Sequence, residues 1–130
     1  MTINISATKR LQVGTTIVGG LYVEVVESVF KFTCNIPGSA DNLVKNIQDI
    51  HTANLKFFSI YSSGDINIYT NDPSTGSPDD SFLMKLDLPL VWGNSFSFES
   101  VPIGTNITAL YFTNPSTTVV TVKVVVGYTA

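Results

Sequence analysis

The sequence predicts an all-β fold: a single antiparallel β-sandwich domain of jelly-roll type, with at most one short helix near residues 41–50. Three observations carry that expectation. Apolar side chains recur with a period of two, the repeat of a strand with one buried face. β-branched and aromatic residues fill those runs, as a pleated and half-buried surface favours. Turn-forming residues interrupt the runs every ~8–12 residues, the spacing of sandwiches and barrels. At 130 residues the chain has the length of one domain, and two sheets of four strands fit it.

Residues 2–8 alternate Ile3, Ile5 and Ala7 with polar neighbours. Residues 11–18 and 21–26 read as further strands, joined by a hairpin at Gly19-Gly20. Phe30, Phe32 and Cys34 then alternate with Lys31 and Thr33. Residues 41–50 are the one helical candidate, because Ser39 or Asp41 can cap a turn whose apolar face is Leu43, Val44 and Ile47. Residues 55–61 and 65–70 are strands with a hairpin signal, Ser62-Ser63-Gly64, between them. Residues 71–80 are rich in Asn, Asp, Pro, Ser and Gly and form the longest loop. Phe82, Met84 and Leu86 alternate next, and Pro89-Leu90-Val91-Trp92 follows. Residues 108–113 and 120–126 are the last strands, separated by Asn114-Pro115-Ser116 as by another hairpin turn. The final strand places Val120, Val122, Val124 and Val126 on one face. The expected core is Ile5, Phe30, Phe32, Phe57, Ile68, Phe82, Met84, Leu110, Phe112, Val122 and Val124.

The chain has 7 Lys and Arg, 10 Asp and Glu and one His, for a net charge of −3. Charged residues are 13% of the total, against roughly 25% in an average soluble protein. A folded monomer of 14.1 kDa exposes about 6,700 Å², or about one charge per 400 Å². Such a surface is either dressed in Ser, Thr and Asn or covered by a partner. Phosphate-neutralising nucleic-acid binding needs clustered cations, whereas the six Lys and one Arg are scattered from Lys9 to Lys123. No apolar run reaches 18 residues, so no transmembrane helix is expected. The first residues lack the basic and apolar regions of a signal peptide. A lone cysteine, Cys34, forms neither an intrachain disulfide nor a CxxC metal knuckle. The expectation is a protein made in a reducing cytoplasm, with no cofactor, no metal, no nucleic acid and no membrane.

The residues that carry chemistry elsewhere read as structural here. His51 has Asp49 two residues away but no second His or Cys for a metal and no evident nucleophile. Cys34 ends an apolar strand face, with only Lys31 near it to stabilise a thiolate. Glu24 and Glu27 are three apart on a strand, so they face opposite ways and make no glycosidase pair. Asp72, Asp79 and Asp80 share a loop with Asn71 and Ser74, but their spacing is not that of an EF-hand, and a solvated turn is expected. No phosphate-binding glycine loop is present. No catalytic residue is assigned, and the expectation is that the protein is not an enzyme.

A longer pattern runs through the second half. Ser63-Gly64-Asp65-Ile66-Asn67-Ile68 leads to Thr70-Asn71-Asp72, then to Pro78-Asp79-Asp80-Ser81-Phe82 and Leu83-Met84-Lys85-Leu86. Pro89-Leu90-Val91-Trp92 follows, then Ile107-Thr108-Ala109-Leu110-Tyr111-Phe112-Thr113-Asn114, and a Val-rich strand closes it. Over residues 55–126 this order resembles a family of small structural proteins of tailed bacteriophages. The resemblance implies a virion component, a capsid decoration or cement protein, jelly-roll-like and often trimeric. Its partner would be the major capsid protein or another virion protein. It would be made in the host cytoplasm and carried in the virion.

The rival reading is a carbohydrate- or receptor-binding module of a phage tail or spike on the same scaffold. It rests on Tyr22, Tyr61, Tyr69, Trp92 and Tyr111, which fall outside the core pattern, and on abundant Asn and Asp. A hydrolase built on His51 ranks last. The expected partner surface has two parts. Ile3, Ile5 and Leu11 lie on an end strand open to edge pairing, and Asp72, Asp79 and Asp80 lie on the longest loop.

Overall fold

The computed structural model describes residues 2–70, 81–86, 88–95, 102–104 and 106–129; in the first two strands the side chains of residues 9–13, 17, 18 and 20–22 lie outside that description. The described residues form strands and no helix. In order they are β1 (Ile3–Val13), β2 (Thr16–Val26), β3 (Ser28–Ile36), β4 (Leu43–Ile50), β5 (Leu55–Ser62), β6 (Ile66–Tyr69), β7 (Ser81–Met84), β8 (Leu90–Gly93), β9 (Ile107–Thr113) and β10 (Val120–Tyr128). Eight of them make two four-stranded antiparallel sheets, ordered β3-β10-β5-β8 and β4-β9-β6-β7, while β1 and β2 pair only with each other. The sheets pack as a sandwich, the fold class the period-two pattern predicts.

The pairing is nested. β6 pairs with β7, β5 with β8, β4 with β9 and β3 with β10. The chain from β3 onward is therefore one long antiparallel ribbon, doubled back between β6 and β7. Pairing of β10 with β5 and of β6 with β9 joins the turns of that ribbon into two sheets. The core lies between the sheets and includes Phe58, Ile60, Ile66, Ile68, Leu110, Phe112, Val122 and Val124. Phe58 and Phe82 meet across it with ring centroids 6.1 Å apart. Of the residues expected inside, Ile68, Met84, Leu110, Phe112, Val122 and Val124 are buried, and Phe30, Phe32 and Phe82 are half-buried against the same cluster.

Four local expectations are corrected. Residues 41–50 are not helical: Leu43–Ile50 is β4, paired with β9 from Leu43↔Phe112 to Ile50↔Ile107. Burial there alternates, with Leu43, Lys45 and Ile47 half-buried and Val44, Asn46 and Gln48 exposed. Ten residues of ambiguous pattern are too few to hold a helix against the backbone bonds an adjacent strand offers.

The first hairpin turns at Gly14-Thr15, with Val13 opposite Thr16, and Gly19-Gly20 lie inside β2 opposite Arg10 and Lys9. Gly14, at φ 60, takes the first central position of a two-residue turn, where a side chain is disfavoured. Pairing eleven residues in register outweighs the entropic cost of two mid-strand glycines.

The third and fourth corrections concern Ser62-Ser63-Gly64 and Asn114-Pro115-Ser116, which are corners between sheets rather than hairpin turns, since β5 and β6, and β9 and β10, lie in different sheets. The first corner is tied to β10 by Ser63 N–H donating to Thr121 O and by Thr121 N–H donating to Ser63 Oγ, each at 2.9 Å.

Candidate functional site

The β1–β2 hairpin is the one described element outside the sandwich. Eleven extended residues per strand span about 37 Å. Its base is docked on the outer face of the β3-β10-β5-β8 sheet. Gly127 is opposite Phe57 on β5 and Val29 on β3, and Phe57 is opposite Gly93 on β8, so glycines flank Phe57 on both sides. The hairpin settles there. A Cβ placed on Gly127 would lie 2.8 Å from Ile5 Cδ1 and 3.0 Å from Val26 Cγ1. Val26 and Phe57 are buried there, apart from the cluster between the sheets.

Glu24, also buried, fastens the same end. Its carboxylate accepts the Ser95 N–H at 2.9 Å and the Ser95 hydroxyl as well. A buried carboxylate is tolerated only with donors of this kind. Beyond the base, Gly14, Thr15, Thr16 and Gly19 are exposed, and Val23 and Val25 face solvent on the side away from the sheet.

The residues expected at the partner surface are thus divided. Ile3 and Ile5 are half-buried, with Ile5 turned against its own sandwich. Leu11 is in β1 near the turn, and its side chain is not described. Asp72, Asp79 and Asp80 lie outside the described residues. The structure brings Ile3 and Ile5 together with Glu24 and Val26. Sequence reading missed an apolar patch at the β7 edge, where Leu83, Leu86 and Leu88 are 68%, 52% and 65% exposed. A tight turn closed by Leu88 N–H donating to Lys85 O at 3.2 Å holds the last two. The alternation that placed Phe82 and Met84 inward already put Leu83 on the opposite face.

Two depressions lie on the side where edge strands β3 and β4 meet. One, of about 310 Å³, is lined by Phe30, Phe32, Cys34 and Ile47 with Lys31 and Lys45 at its rim. Burial pushes the Cys34 thiol above its ordinary value, and Lys45 pulls more weakly the other way, so the sulfur is a protonated side chain at neutral pH. The other, of about 550 Å³, opens at the ends of β4 and β10 and is lined by Gln48, Asp49, His51, Ala53, Asn54, Tyr128 and Thr129. His51 sits there, exposed, and its backbone N–H donates to Tyr128 Oη at 3.2 Å. The Tyr128 ring stacks on Phe30 at 6.2 Å, and Phe30 on Phe32 at the same distance. Burial raises the Tyr128 phenol above its usual range; the His51 N–H lowers it and the Asp49 carboxylate raises it further.

Trp92 is buried on β8, Tyr69 and Tyr111 are half-buried opposite one another, and Tyr61 is exposed. Glu27 is exposed in the bend between β2 and β3, and its backbone N–H donates to Tyr128 O at 2.7 Å. Among the described residues no group of three or more His, Cys, Asp or Glu side chains is placed to hold a metal. Comparison of the chain with protein-family models, with curated proteins and with solved structures found no match.

Proposed function

We propose that this chain is a non-enzymatic structural protein of a tailed-phage virion, which decorates or stabilises the shell by binding its assembled surface. The observation that carries the reading is the hairpin: a two-stranded arm anchored at one end by Val26, Ile5 and Glu24, with its turn exposed and Val23 and Val25 facing outward. A ribbon presented from a rigid sandwich suits attachment to another chain, by side-chain contact or by strand addition at its open edge. The nested strand order supports a jelly-roll reading, an architecture shared by viral capsid domains and lectins. The resemblance over residues 55–126 supports the virion assignment. Sparse charge and the exposed Leu83, Leu86 and Leu88 support a surface made for contact with protein.

Binding to the assembled shell stabilises it by mass action, and many copies multiply a weak contact by avidity. The test uses phage particles that lack the protein. Adding it back is expected to raise their disruption temperature, and the protein is expected to cosediment with them. The double variant Val23→Lys, Val25→Lys alters only exposed side chains and is expected to lose roughly tenfold or more in affinity. Particles that neither bind the protein nor gain robustness would rule the reading out.

A further inference from the structure

We propose that the cleft at the ends of β4 and β10 is a saccharide-binding site. Its size, about 550 Å³, is in the roughly 300–1,000 Å³ range of small-molecule sites. Its floor is Tyr128 and Thr129, both half-buried, and its rim is exposed. Four rim side chains set its chemistry. The amides of Gln48 and Asn54 each donate and accept, the Asp49 carboxylate accepts, and the His51 imidazole offers one of each when neutral. None of these four side chains has a hydrogen-bond partner among the described residues.

A sugar hydroxyl donates and accepts at once, so it needs both kinds of group side by side, and planar side chains can meet neighbouring hydroxyls in pairs. The Tyr128 ring and the Ala53 methyl supply apolar surface for the C–H face of a pyranose. Charge argues against the other ligand classes. Among the described residues no lysine or arginine lines the cleft, so phosphates and carboxylates find no countercharge there. Its openness and polar rim do not suit a lipid chain.

The cleft is also preformed. The 51–54 loop is held from three directions. His51 N–H donates to Tyr128 Oη at 3.2 Å, Thr52 N–H and hydroxyl donate to Asn106 Oδ1 at 2.9 and 3.2 Å, and Thr129 N–H donates to Asn54 O at 3.0 Å. Asn54 sits in the left-handed region at φ 64, which aims its amide without a glycine. The loop backbone is therefore set before binding, and the ordering that binding must supply is that of the four rim side chains. The site is independent of the hairpin and of the shell-binding reading, so either fails without the other.

The experiment has two arms on the whole 130-residue chain. Saturation-transfer NMR with free glucose, galactose, mannose, rhamnose and N-acetylglucosamine asks for a monosaccharide site, and an array of immobilised glycans asks for an extended chain. At least one arm is expected to give binding, with amide shifts at His51, Asn54 and Thr129. Asp49→Ala and His51→Ala change exposed residues and are each expected to weaken it by roughly tenfold. Lys123→Ala, an exposed change on β10 outside the cleft lining, is expected to leave it unchanged. No binding in either arm, or binding indifferent to both cleft variants, overturns the proposal.

Discussion

Asn114 shows how one side chain settles a local structure. It is 2% exposed at the corner between β9 and β10. Its Nδ2 donates to the carbonyls of Ile36, Pro37 and Thr118 at 3.3, 3.1 and 2.8 Å. Its Oδ1 accepts the Ser116 N–H at 3.0 Å and the Ser116 hydroxyl at 2.8 Å. Its own N–H donates to Ala40 O at 2.9 Å. One amide therefore joins the end of β3, the connection to β4 and the approach to β10. Removing it takes a donor from the carbonyl of buried Ile36 and leaves the Ser116 N–H without its acceptor, which costs more than the bonds contribute in net terms; Pro37 O and Thr118 O keep the Ala40 N–H and the Ser116 hydroxyl. Asn114→Ala is expected to destabilise the fold by about 2–3 kcal/mol, measured by urea unfolding at unchanged m-value. A loss within about 0.5 kcal/mol would mean that water replaces the amide at no cost.

At the scale of elements, the hairpin depends on an absence. Gly127 lies in a strand with five valines among its nine residues, and the missing side chain is the seat for Ile5 and Val26. Gly127→Val restores the β-branched character that strands favour, so β10 itself should pair at least as well. The added methyls occupy the hairpin's seat. Amides of the β1–β2 base, residues 3–7 and 23–26, are expected to exchange roughly tenfold faster or more while β10–β3 amides keep their protection. Equal protection at the hairpin base in the variant would show that Glu24 and Ser95 hold it without the apolar seat. β4 illustrates the opposite dependence. Its own residues are equivocal between helix and strand, and its conformation follows from the backbone groups that β9 offers.

For the whole molecule, the accessible surface is 7551 Å², above the ~6,700 Å² of a compact monomer of this mass. Exposed valines on the hairpin and exposed leucines at the β7 edge lie on that surface together with few charges. A closed homo-oligomer covers such surface with one contact repeated by symmetry. Light scattering after size exclusion at micromolar concentration is expected to give three times the 14.1 kDa chain mass. A mass of one chain would remove the trimer.

The alternation of side chains was readable from residue order alone, and so were most strand positions and the inward set from Ile68 to Val124. Both follow from the two-residue repeat of a strand with one buried face, which every stretch declares for itself. The inter-sheet corners were not readable, because Ser62-Ser63-Gly64 would serve equally well within a hairpin. Nor was the strand at 43–50, whose apolar spacing fits a short helix as well. The 550 Å³ cleft was hidden for the same kind of reason: Asp49 and His51 come from one end of β4, and Tyr128 comes from the far end of the chain. Asp49 and His51 are two residues apart in sequence, but nothing near them announces Tyr128. Local pattern tells each segment which face to bury. Which segments then meet is decided by competition among long-range pairings, and that competition is resolved only when the sheets close over a common core.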